Sequence, residues 1–197
     1  MKIAITGSIA CGKSTVTKYL LKKKYVVIDA DKIGHDILLD FKVKEEIRNI
    51  FSEKVFDGKE INRKKLGEIV FNSKEKLALL NKISHPRIRE IIIEKLSKEN
   101  DLVFLDMALL FEANFFDLVD KIIVVHLDYD KQLERLMTRN SLTRKEAEKR
   151  ISSQLSSDHK KNLADFVIDN NGSIKETEEQ VDYILKIIEG EVDDIKN

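Results

Sequence analysis

The run Gly7-Ser8-Ile9-Ala10-Cys11-Gly12-Lys13-Ser14-Thr15 satisfies G-x-x-x-x-G-K-[ST] at every fixed position. That spacing has a chemical meaning. A glycine-rich loop leading from a strand into a helix aims successive backbone N–H groups, here those of Ser8 to Thr15, and a helix N-terminus at one point, which favours a polyphosphate. Lys13 is placed to reach the β- and γ-phosphates, and the Ser14 hydroxyl to ligate Mg²⁺. The flanks agree: Ile3-Ala4-Ile5 reads as a short buried strand, and Val16 to Leu21 as a helix. The residues predict a nucleotide-binding loop.

Other groups gain interest from that loop. In Asp29-Ala30-Asp31, Asp29 reads as a helix N-cap, and Asp31 is the better carboxylate to stand beside a γ-phosphate, accepting a proton or holding Mg²⁺ through water. Asp106 ends an apolar run, where a second metal-associated acid or a loop cap is expected, with Glu112 following Leu109-Leu110-Phe111. The segment His85-Pro86-Arg87-Ile88-Arg89 places Pro86 at a first helical position, which is structurally natural, and its arginines suit either phosphate or solvent. Between Asp130 and Lys161 the chain is dense in charge; a solvated helical face and a mobile lid carrying arginines both fit, with Arg139 the first candidate.

The elements that must position these groups follow from periodicity. Strands are predicted at Lys2–Thr6, Tyr25–Ile28, Leu102–Leu105, Lys121–His126 and Phe166–Ile168, most of them rich in Val and Ile without polar alternation. Helical patterns join them, so an α/β fold is predicted, a five-stranded, mainly parallel sheet with helices on both faces. Within a single unit of 197 residues, 1–33, 101–129 and 162–190 form the core, 34–100 a helical insertion able to wall a substrate, and 130–161 the lid. Asn62 is expected to cap a helix from Arg63 to Phe71, and Thr143 with Glu146 to form a capping box. The acidic tail Glu189 to Asp194 is expected to be disordered.

Composition narrows the function classes. Thirty-five basic residues balance thirty-five acidic ones, so no global charge calls for nucleic acid or an anionic membrane. The one cysteine, Cys11, precludes an intramolecular disulfide framework, and in the loop it reads as a tolerated small residue ahead of a redox switch. With no secretory pattern and no long apolar run, a cytoplasmic protein is expected. A GTP-driven switch is set aside: Asp31-Lys32-Ile33-Gly34 fits D-x-x-G, but very soon after the loop, and no [NT]-K-x-D motif accompanies it.

The loop, Val27 to Asp31, His85 to Arg89, Leu109 to Glu112, Gln132 with Arg135 and Arg139, Gln154, and Ala164 to Gly172 together resemble dephospho-coenzyme A kinase, in order and spacing, over nearly the whole chain. The resemblance implies a nucleoside-monophosphate-kinase-like core and the ATP- and Mg²⁺-dependent phosphorylation of the ribose 3′-hydroxyl of dephospho-CoA, the last step of coenzyme A synthesis. It implies Asp31 as base, Lys13 on the phosphates and Arg139 from the lid. It also implies His85, Arg89, Leu109 and Glu112 near the acceptor, and Asn170 and Gly172 beside the adenine. ATP and dephospho-CoA are the expected partners of a monomer or weak homo-oligomer. Three positions depart from the family's usual residues: Ala10 stands for Gly, Cys11 for a small residue or Ser, and Ala108, after Met107, for Pro. Another small-molecule kinase is the nearest alternative.

Overall fold

The computed structural model describes residues 1–190, so the tail expectation beyond Gly190 lies outside the described residues. In chain order the elements are β1 (Lys2–Thr6), α1 (Lys13–Lys22), β2 (Val26–Asp29), α2 (Ala30–Asp36), α3 (Phe41–Phe51), β3 (Phe56–Asp57), β4 (Glu60–Ile61), α4 (Arg63–Val70), α5 (Lys74–Ser97), β5 (Val103–Asp106), β6 (Lys121–His126), α6 (Tyr129–Asn140), α7 (Arg144–Ile151), α8 (Ser157–Lys161), β7 (Phe166–Asp169) and α9 (Ile174–Ile188). Among the described residues two compact units result, 1–28 with 99–190, and Asp29–Lys98.

The first unit is built on a five-stranded sheet in the order β2-β5-β1-β6-β7, its β1·β5, β1·β6 and β6·β7 ladders parallel. The central strands bury consecutive residues, Ile3-Ala4-Ile5 and Val103-Phe104-Leu105, because helices cover both faces. One core joins Ile5 and Phe104 to Val16 and Leu20 of α1 and to Val181, Ile184 and Leu185 of α9. Each buried Ile, Leu or Phe contributes about 1.5–3 kcal/mol. A separate cluster of Leu133, Leu136, Ala147 and Ile151 packs α6 against α7, with Ile9 and Ala10 of the loop seated on it.

The second unit is helical, with one hairpin that apolar periodicity alone misses. Strands β3 and β4 pair for only two residues each, around Gly58 at φ 61°. Helix α3 buries Val43, Ile47 and Phe51, an i, i+4, i+8 stripe. Helix α4 is capped as expected, Asn62 accepting from the Lys65 N–H at 2.9 Å. The placement of Pro86 is corrected: it lies inside the 24-residue α5, where no helix starts. Strong helix formers and the cap at Ser73 carry the helix through it, although an interior proline forfeits one hydrogen bond. Three strand ends are corrected too: β2, β5 and β7 run one residue past the last apolar side chain, closing on Asp29, Asp106 and Asp169. The ladder continues there, with His126 opposite Asp169, because backbone pairing is indifferent to the side chain that ends it.

Candidate active site

The loop after β1 is shaped by positions where a side chain will not fit. A Cβ on Gly7 would stand 2.5 Å from Cys11 Sγ and 2.7 Å from the Val125 carbonyl oxygen. Gly12 takes φ 95°, and a Cβ there would stand 1.9 Å from Asn170 Nδ2. Ala10 also adopts the left-handed region, at φ 61°, a conformation that glycine takes at less steric cost. Helix α1 then starts at Lys13 with no side-chain cap and no acid in its first turn, leaving its amides to an anion. Burial pushes the Cys11 thiol up from its ordinary value, so it stays protonated and serves as a small apolar filler.

Side chains from distant segments hold the loop in place. Asn170 donates Nδ2 to the Cys11 carbonyl at 2.7 Å and accepts from Thr177 Oγ1 at 2.8 Å. Gln132, buried in α6, donates to the Ile9 carbonyl at 2.7 Å, and Ile9 N–H donates to Gln154 Oε1 at 2.8 Å. Ser8 Oγ donates to the Leu155 carbonyl at 2.9 Å. Arg135 donates to the Asn170 carbonyl at 3.2 Å, which brings a guanidinium to the loop's flank.

Lys13 Nζ pairs with Asp106 Oδ1, both side chains largely buried. Ser14 is exposed beside it, so a hydroxyl, a carboxylate and an ammonium share the mouth of the loop. The turn after β5 is pinned without proline: the Ala108 carbonyl accepts from Thr6 Oγ1 at 3.2 Å and from Lys160 Nζ at 2.8 Å. Leu109 is exposed, while Glu112 lies 3.0 Å from Lys160 Nζ. Arg139 lies in the last turn of α6 at the surface, Nε donating to Asn140 Oδ1 at 2.9 Å. Gly172 lies just ahead of the Ser173–Glu176 capping box that starts α9.

In the second unit Asp29 is the N-cap of α2, accepting from the Lys32 N–H at 2.8 Å, and Asp31 occupies the exposed first turn. Gly34 faces Ile88 of α5, where an added Cβ would make ordinary van der Waals contact at 3.6 Å with Cδ1. His85 and Arg89 project from the middle of α5, and burial lowers the His85 pKa, favouring neutral imidazole. Arg87 is committed to structure, bonding Asp40, the cap of α3, at 3.2 Å and Glu90 at 2.5 Å. A cavity of about 260 Å³ is lined by Ile33, Asp36, Ile37, Asp40, Ile91 and Lys95.

Sequence reasoning counts Lys160 in the charged segment read as a solvated face or a lid, but the fold buries it; the run His159-Lys160-Lys161 carries no local sign of burial. Its partner Glu112 lies far away along the chain, so only the fold brings the two together.

Comparison with known proteins shows the family and the fold. A family model described as dephospho-CoA kinase matches residues 1–176. A dephospho-CoA kinase of Fusobacterium nucleatum is 45% identical over 190 residues, covering 95% of this chain and 98% of that protein. The solved structure of dephospho-CoA kinase from Campylobacter jejuni superposes with a TM-score of 0.74 at 35% identity, over 98% of this chain and 100% of the other. Shikimate kinase from Aquifex aeolicus, 18% identical with a TM-score of 0.51 over 97% and 98% of the two chains, shares the fold.

Proposed function

Since the chain belongs to the dephospho-CoA kinase family, we propose that Asp31, Lys13 and Arg139 divide the work of one phosphoryl transfer. The enzyme is a kinase that phosphorylates dephospho-CoA with ATP, a step of coenzyme A synthesis. The acceptor atom in this reading is the ribose 3′-hydroxyl, which makes the step the final one. Its proton must leave as the phosphoryl group arrives, and Asp31 accepts it. Lys13 exchanges Asp106 for the β- and γ-phosphate oxygens, and Arg139 offsets charge on the transferring group. His85 and Arg89 orient the acceptor, with His85 acting as a neutral hydrogen-bonding group. The match over residues 1–176, which takes in all of these positions, carries the reading.

Mg²⁺ fits the hard oxygen donors at the loop's mouth, the Ser14 hydroxyl and the Asp106 carboxylate. When bound it neutralises phosphate charge.

The test of the base is Asp31→Asn. Turnover should fall by about 10²–10⁴ while ATP affinity stays within a few-fold. A variant that keeps most of its turnover would remove Asp31 from that role.

A further inference from the structure

We propose that Lys160, Glu112 and Gln154 form a strut that positions the start of the phosphate loop, and that Glu112 acts through it rather than on the acceptor. The proposal deepens the kinase reading and rests on it for its activity readouts.

Lys160 is 0% exposed, and a cation that deep is tolerated only when paired and hydrogen-bonded. Its ammonium donates to the Ala108 carbonyl at 2.8 Å and lies 3.0 Å from Glu112 Oε1. The same Glu112 oxygen accepts the Leu155 N–H at 3.0 Å. From there the contacts run straight to the loop: Ser8 Oγ reaches the Leu155 carbonyl at 2.9 Å, and Ile9 N–H reaches Gln154 Oε1 at 2.8 Å. Apolar side chains of similar volume would stabilise such a site as well or better, so stability alone is a poor reason for the pair. What the charges supply is direction. Glu112 has one orientation that serves both Lys160 and the Leu155 N–H, which fixes the segment whose Leu155 carbonyl and Gln154 side chain receive Ser8 and Ile9.

The experiment uses the full chain and two variants, Glu112→Leu and Gln154→Leu, each checked for folding by thermal unfolding. Affinity for Mg·ADP is measured directly, together with KM for ATP and for dephospho-CoA. Gln154→Leu leaves the buried charges intact, so it tests the strut even if Glu112→Leu does not fold. Losing one aligned hydrogen bond predicts about tenfold weaker Mg·ADP binding and a parallel rise in KM for ATP. KM for dephospho-CoA should stay within about twofold, well under the energy of one such bond. Glu112→Gln, whose amide oxygen still accepts from Leu155, should recover most of the loss. A rise in KM for dephospho-CoA alone would mean that Glu112 touches the acceptor and would overturn the proposal. Unchanged Mg·ADP affinity in folded Gln154→Leu would overturn it as well. Mg·ADP binding needs no acceptor, so a wild type inactive on dephospho-CoA would sink the kinase reading while leaving this test standing.

Discussion

Asn170 illustrates how a residue's type and its task come apart. The family resemblance implies a place beside the adenine, and in the fold its side chain bonds the Cys11 carbonyl and the Thr177 hydroxyl. Asn170→Ala removes the donor to the buried Cys11 carbonyl, while Thr177 Oγ1 keeps the Ser173 carbonyl at 3.1 Å; the loss should cost about 1–3 kcal/mol in urea unfolding. Nucleotide affinity should fall for ATP and GTP by the same factor, because the loop that holds the phosphates is loosened. A change in the ATP-to-GTP preference would instead put Asn170 on the base. The loop glycines and Lys13 are legible in the sequence because they fall at fixed spacing within one short run. Asn170, Gln154 and Lys160 were legible only as letters, because their partners lie in segments that the fold alone brings near.

Helices and strands were read from periodicity, and periodicity served well where burial is uniform. All five strands of the main sheet were placed to within one residue at each end. Asn62, Thr143 and Asp29 cap as their types require, since an N-cap is a local hydrogen bond. The hairpin at Phe56–Ile61 escaped because its two-residue strands are too short for alternation to show. Helix α5 escaped for the opposite reason: Pro86 signals a start, and the surrounding segment overrides it. That override carries a cost. Pro86→Ala restores an N–H to the helix and should raise stability by about 1–3 kcal/mol in urea unfolding. No gain would indicate that α5 is interrupted at Pro86 in solution.

At the scale of the whole molecule, balanced charge leaves stability against pH to a few perturbed groups. Hydrogen bonds hold Glu146 and Glu176 in their capping boxes, and Lys65 holds Asp57, below the ordinary carboxylate range. Their contribution is full above the unfolded values of about 4 and is lost as pH falls through the lower folded ones. His85 adds an earlier loss. Below about pH 6.5 the unfolded chain takes up a proton that the half-buried imidazole resists, so stability declines there as pH falls. On the alkaline side, the bond to Glu189, aided by burial, pushes the Tyr25 phenol up to about 12. Its stabilisation is present below about pH 10 and lost as pH rises further. Urea unfolding from about pH 2 to 11 should show all three losses, and His85→Gln should remove the one below about pH 6.5; its persistence would assign it elsewhere. Function at this scale is a choice of acceptor, and ADP release with Mg·ATP and dephospho-CoA, run beside AMP, CMP and adenosine, reads that choice directly. Turnover on dephospho-CoA alone is the expected result. Turnover on a nucleotide or nucleoside in its place, or ATP bound with no acceptor-dependent turnover, would contradict it.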